Sequence, residues 1–169
     1  MNLSGSRGVR GVNAIILMGS KADLKHCQKI AGKLQEFGIN AIFRVASAHK
    51  TPEKVLEILK EYENEEVVFI TVAGRSNALS GFVDANTSKP VIACPPYSEA
   101  FAGMDILSSI RMPSGVAPML VMDAENAALA AAKIFALKHE EMAERVREYQ
   151  ERKREELYAA DEEVRKIPG

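Results

Sequence analysis

A chain of 169 residues with 47% apolar and 27% charged side chains suits one globular domain that needs no metal or disulfide staple, and it excludes global disorder. The formal net charge of -1, from 22 basic and 23 acidic residues, leaves no field to draw in nucleic acid or an anionic membrane surface, so neither is expected as a partner. Apolar runs are strand-sized, far below the ~20 residues of a membrane span, and the N-terminus lacks the apolar core of a signal peptide, so a cytoplasmic protein is expected.

Residues 1–11 are rich in Gly, Ser and Arg without periodicity and read as a flexible leader. The run Ala14 to Met18 is continuously apolar, as in a strand buried on both faces, and Gly19-Ser20 ends it. Leu24, Cys27, Ile30, Ala31, Leu34 and Phe37 then recur at helical steps, with Gly38 as the stop. The pattern repeats with a strand from Ile39 to Val45, a polar turn from Ser47 to Pro52, and a helix bearing Val55, Leu56, Leu59 and Tyr62.

A third strand is expected over Val67 to Ala73, a short helix near Leu79 to Val83, and a fourth strand over Pro90 to Cys94, closed by Pro95-Pro96. Gly103 to Ile110 reads as helix, Pro118 to Met122 as a fifth strand, and Asn126 to Leu137 as an Ala-rich helix. Strands alternating with helices imply a three-layer α/β/α, flavodoxin-like parallel sheet, whose ligands bind outside the carboxyl ends of the strands. From His139 a long charged helix carries only Met142, Val146, Tyr149 and Leu157 as a thin apolar stripe. It suits either a solvated terminal helix or, as favoured here, an arm packing on a neighbouring subunit. The expected division is therefore leader 1–11, catalytic α/β domain 12–138 and C-terminal helix 139–169.

Cys27 and Cys94 form no C-x-x-C pair and lie beside no metal-ligating pattern, so both read as reduced, buried thiols, and no metal is expected. The candidate chemistry lies in three strand-to-helix turns. Gly19-Ser-Lys-Ala-Asp23 offers backbone N–H groups, a hydroxyl and a cation suited to a phosphate, with Asp23 able to accept from ribose hydroxyls, although Ser20 or Asp23 also fits a plain helix cap. Ser47-Ala48-His49-Lys50 puts an imidazole and an ammonium at a strand end, and His49 is the catalytic candidate because imidazole exchanges protons near neutral pH. His26, mid-helix among polar residues, and His139, at the start of the arm, read as surface groups. Ala73-Gly74-Arg75-Ser76-Asn77 permits close ligand approach beside a fixed cation, with Asn77 alternatively a helix cap. The Arg111 to Gly115 loop fits an ordinary turn or a lid.

Taken in order, M-G-S-K-A-D, S-A-H-K-T-P, A-G-R-S-N-A-L, C-P-P, M-P-S-G and N-A-A-L resemble the aminoimidazole ribonucleotide carboxylase and mutase family of purine biosynthesis, over about residues 13 to 137. That resemblance implies His49 as the proton-transfer group and Ser20, Asp23 and Lys50 on the ribose phosphate. It also implies Ser47, Gly74 and Ser76 framing the aminoimidazole and carboxylate, and a wider substrate-binding set that adds Gly19, Ala48, Ala73, Arg75, Asn77, Leu79, Met112 and Pro113. Lys50, where mutases of the family usually carry Arg, and Gly74-Arg75-Ser76-Asn77, in place of a Gly/Ala-rich run ending in His, resemble the class that uses carbon dioxide directly.

The resemblance implies a homo-octamer, no cofactor, and aminoimidazole ribonucleotide and carbon dioxide as the small-molecule partners. Ala22, where the family usually carries Ser, removes one hydroxyl near the phosphate. The alternative on the same fold is a mutase acting on the N-carboxy precursor. A remoter one is a flavodoxin-like mononucleotide-binding protein, against which the absence of Trp and the 6% aromatic content count.

Overall fold

A computed structural model describes residues 11–168, so the leader expected over 1–11 lies, apart from Gly11, outside the described residues. Five parallel strands stand in the order β2-β1-β3-β4-β5: β1 is Asn13–Met18, β2 Asn40–Val45, β3 Val67–Val72, β4 Val91–Ala93 and β5 Met119–Leu120. Every residue of β3 is buried, as its unbroken apolar run requires of a strand covered on both faces. Pairing of β4 begins one residue before the strand, where the Pro90 carbonyl accepts from the Phe69 N–H at 3.0 Å, but proline has no N–H to return. β5 likewise starts just after a proline, Pro118, and both strands are shorter than their apolar runs.

The side-chain alternation of β1 and β3 divides the core. Ala14, Ile16, Met18, Val68, Ile70 and Val72 face α1 (Leu24–Glu36), α5 (Ala124–Ala136) and α6 (Glu140–Val164). Ile15, Leu17, Val67 and Phe69 face α2 (Pro52–Glu61) and α3 (Ala78–Ala85). The result is the expected three-layer arrangement.

Two differences from the sequence reading have physical causes. Only Leu107–Ile110 (α4) is α-helical in the segment expected as a helix from Gly103; residues 100–106 form a tight 3-10 turn interrupted by Phe101, Ala102 and Gly103 in the left-handed region. Two of these are not glycine, so nothing in their side chains announces the break. The inner half of the arm's stripe belongs to this chain's own core: Met142, Val146 and Tyr149 are buried, and Tyr149 meets Phe37 edge to face at 5.2 Å. Such an aromatic pair contributes roughly 0.5–1.5 kcal/mol beyond burial. Arg145 Nη1 donates to the Phe37 carbonyl at 2.8 Å, and from residue 151 onward the helix is exposed on every face.

His139 is not a free surface group. It caps α6 by position, is half-buried, and its Nε2 bonds Glu66, which also holds Lys138. The cause is topological: Glu66 immediately precedes β3, where the α5–α6 junction passes.

Candidate active site at the carboxyl edge of the sheet

Register places Met18 of β1 level with Val45 of β2 and Val72 of β3, so the three candidate turns leave the sheet side by side with the first in the middle. This is the switch point where connections diverge to opposite sides. Backbone bonds stitch the turns: the Gly19 N–H donates to the Val72 carbonyl at 2.9 Å and the Ala46 N–H to the Met18 carbonyl at 3.1 Å. The first and third turns are in close contact here, since a Cβ at position 19 would just touch the Cβ of Ala73 at 3.4 Å.

In the first turn Ser20 Oγ accepts from the Ala22 N–H at 3.1 Å and caps the short 3-10 helix Lys21–Asp23. The capping reading therefore applies to Ser20. Asp23 precedes α1 without a side-chain capping bond, which leaves its carboxylate available at the edge. Burial raises its pKa above the ordinary carboxylate range, opposed by a backbone hydrogen bond from Ser20 and by the charges of His26 and Arg75.

The second turn is held by a reciprocal pair. The Ser47 N–H donates to Thr51 Oγ1 at 3.0 Å, the Thr51 N–H donates to the Ser47 carbonyl at 2.9 Å, and Ser47 Oγ accepts from the Lys50 N–H at 3.3 Å. Pro52 then opens α2 with the φ a first helical turn requires. His49 and Lys50 stand exposed at the apex, with Ala48 half-buried beneath them.

In the third turn Ala73 is buried, Arg75 takes a left-handed φ of 62°, and Ser76 is exposed. Gly74 faces Pro96, where a Cβ would sit 3.5 Å from the ring. Asn77 is buried and caps α3: Oδ1 accepts from the Ser80 N–H at 3.1 Å and from Ser80 Oγ at 3.0 Å, while Nδ2 donates to Ser109 Oγ at 2.9 Å. Ser108 Oγ accepts from the Asn77 N–H at 2.9 Å and donates to the Asp105 carbonyl at 2.7 Å, tying the turn to α4.

A cavity of about 180 Å³ opens beside this turn, walled by Ala73, Gly74, Arg75, Pro95, Pro96, Tyr97, Ser108, Ser109 and Met122 among others. It is too small for a whole nucleotide and of a size for part of one. His49, Lys50 and Ser20 do not wall it; they line the same edge on neighbouring turns.

Three residues of the expected set lie elsewhere. Leu79 is core, packed in the layer of α2 and α3, because it falls on the inward face of α3. Met112 is half-buried against α3, where a Cβ on Gly81 would approach its sulfur to 3.0 Å, and Pro113 is exposed. Their loop is pinned to α3 by the Ala117 N–H, which donates to Asp84 Oδ2 at 2.7 Å, so within one chain it faces away from the cavity. Sequence reasoning missed the cavity wall of Pro95, Pro96 and Tyr97 and the half-buried ring of His26, which reaches Cys94. The three-residue step from Asp23 to His26 was the available signal, since it places both on one helical face.

Cys27 and Cys94 are fully buried, and burial pushes both thiols up to about 12. Among the described residues no group of three or more His, Cys, Asp or Glu could hold a metal ion, and no helix is long and apolar enough to cross a membrane.

Comparison with known proteins agrees with this architecture. The chain is 73% identical over 155 residues to the phosphoribosylaminoimidazole carboxylase of Archaeoglobus fulgidus, covering 92% of this chain and 86% of that protein. It is 51% identical to the protein of the same name from Treponema denticola, covering 90% and 97%. It is 44% identical to the N5-carboxyaminoimidazole ribonucleotide mutase of Methanocaldococcus jannaschii, again covering 90% and 97%. The crystal structure of Treponema denticola PurE superimposes with a TM-score of 0.89 at 50% identity, covering 90% of this chain and 98% of that one. The AIR carboxylase profile matches residues 13–156, the whole sheet together with the turns at its carboxyl edge, and the chain belongs to that family.

Proposed function

We propose that this chain carboxylates 5-aminoimidazole ribonucleotide with carbon dioxide, reversibly, to give 4-carboxy-5-aminoimidazole ribonucleotide in purine biosynthesis. The observation that carries the reading is the adjacency of Ser47-Ala-His-Lys50 and Gly74-Arg-Ser-Asn77 around the first turn, at the one sheet edge where this fold binds ligands. Identity of 73% to a protein named as the carboxylase supports it.

The 5-amino group makes the neighbouring ring carbon enamine-like, so that carbon attacks carbon dioxide without ATP, biotin or metal, and no cofactor is assigned. A carbon–carbon bond forms as one C=O π pair moves onto oxygen, and the attacking ring carbon then carries both its hydrogen and the new carboxylate. His49 removes that proton, the electron pair returns to the ring, and aromaticity is restored. The reverse reaction starts from protonated His49. Ser20 and Lys50 meet the phosphate, and Asp23 meets the ribose hydroxyls. The third turn frames the base.

His49 is exposed in the single chain, so its desolvation comes from substrate and from neighbouring subunits. A homo-octamer fits this need. Tyr97, Phe101 and Met104 near the cavity, and Leu157 and Tyr158 on the outer arm, are exposed apolar side chains suited to cover. The cytoplasm is the compartment assigned.

The test is the ultraviolet absorbance change with aminoimidazole ribonucleotide and bicarbonate, beside a parallel assay with the N-carboxy precursor. Carboxylation of the first with little direct use of the second is expected. Preference for the second makes the chain a mutase, the reading favoured by its 44% identity to a protein of that name. His49→Asn is expected to keep substrate binding and lose at least ~100-fold in turnover, and near-normal turnover refutes the assignment.

A further inference from the structure

His26 lies in the first turn of α1, three residues beyond Asp23, and is half-buried. Its Nε2 is 3.3 Å from Cys94 Sγ. Cys94 is fully buried just past β4; its N–H donates to the Thr71 carbonyl at 2.9 Å and its thiol donates to the Met122 carbonyl at 3.9 Å. A thiol has one hydrogen, so the imidazole Nε2–H is the donor to sulfur. One sulfur therefore joins α1, the end of β4 and the segment after β5.

Pro95 and Pro96 follow directly and form the cavity wall opposite Gly74. Neither proline has an N–H with which to hold itself, so the wall takes its place from the anchored Cys94. The charges of Lys29, Asp23 and Asp123 also act on the ring. Burial lowers the pKa of His26, which favours the neutral donor.

We propose that His26 is a positioning residue of the active site: by donating to Cys94 Sγ it fixes the Pro95-Pro96 wall relative to the Asp23 turn, giving the ribonucleotide a preformed pocket. The inference rests on the assignment of these turns to aminoimidazole ribonucleotide.

The experiment measures equilibrium binding of aminoimidazole ribonucleotide, the Michaelis constant and turnover for the protein as purified and for His26→Ala, His26→Gln, Cys94→Ala and the double variant. His26→Ala is expected to raise the dissociation and Michaelis constants roughly tenfold, within the range of couplings carried through packed contacts. Turnover stays within about twofold because His49 is untouched. Gln, whose amide can donate to the sulfur, is expected to recover most of the loss. Cys94→Ala is expected to act like His26→Ala, and the double variant no more than either alone.

A lowered melting temperature with unchanged binding makes the ring mere packing and overturns the proposal. Additive effects of the two substitutions overturn it as well, by removing the route through sulfur. Should His26→Ala not fold, Cys94→Ala carries the same expectation, and an unchanged Michaelis constant there refutes it. Failure of the unaltered protein to bind aminoimidazole ribonucleotide instead overturns the functional reading, and this inference with it.

Discussion

Asn77→Ala separates a capping residue from a ligand contact, and its cost follows from the bonds removed. The Ser80 N–H loses its cap acceptor, which costs about 1 kcal/mol at a helix start. The buried Ser109 hydroxyl loses its donor, at roughly 1–2 kcal/mol for a stranded polar group. Ser80 Oγ keeps an alternative in Thr71 Oγ1 at 2.7 Å and adds little. The sum is about 2–3 kcal/mol, which at a urea slope of roughly 2 kcal/mol/M moves the unfolding midpoint down by about 1 M. Urea melts of wild type and variant at equal protein concentration measure it, since assembly makes midpoints concentration-dependent. Asn77→Ser, which keeps a short capping oxygen, is expected to recover about half. A midpoint shift below about 0.3 M with unchanged slope refutes the argument that this network holds α3 against α4.

Further outcomes are expected elsewhere in the molecule. Lys50→Ala raises the Michaelis constant for the ribonucleotide with turnover largely kept, read from steady-state kinetics; an unchanged Michaelis constant contradicts a phosphate contact. Native protein at pH 8 leaves both thiols unreacted with a disulfide reagent, whereas urea exposes the two together; burst labelling of the native state contradicts their burial at pKa values of about 12. Glu66 is held below the ordinary carboxylate range by Lys138 first and then by His139. It therefore stabilises the fold above its unfolded value near pH 4.3, and that contribution disappears as pH falls through the lower folded value. Glu66→Gln flattens this acid limb in melts between about pH 5 and pH 3, and an identical limb in the variant argues against the clasp.

Local pattern carried far in this chain because each strand and helix advertises its own period. The unbroken apolar run of β3 and the stripe from Leu24 to Phe37 needed no tertiary information to be read. What failed was decided across the sheet. His26 sits between Lys25 and Cys27 and looks solvated until β4 brings Cys94, 68 positions later, against its ring. His139 looks like the root of a solvated arm until Glu66, 73 positions earlier, meets it. The left-handed backbone at Phe101 and Ala102 has no compositional mark at all. Of the site, the three turns were legible because βα connections of a parallel sheet share one edge. That Leu79 falls on the inward face of α3 and that Met112 packs against that helix within the single chain could not be read from motif membership, which does not say which face a residue meets.

The last inward-facing aromatic of α6 also sets mechanics. Tyr149 is packed on Phe37 and flanked by Lys33, Arg152 and Lys153 within cation–π reach, and beyond it residues 150–164 continue as a rigid rod of roughly 22 Å. Such a rod is a lever with its fulcrum at one ring. A tilt of about 5° at Tyr149 carries the tip about 2 Å and Leu157 and Tyr158 about 1 Å, enough to disturb their packing against whatever grips them. Trimming that ring to leucine would leave the catalytic turns untouched while loosening the far end, so the aim of the arm and the chemistry of the edge can be tuned by separate substitutions.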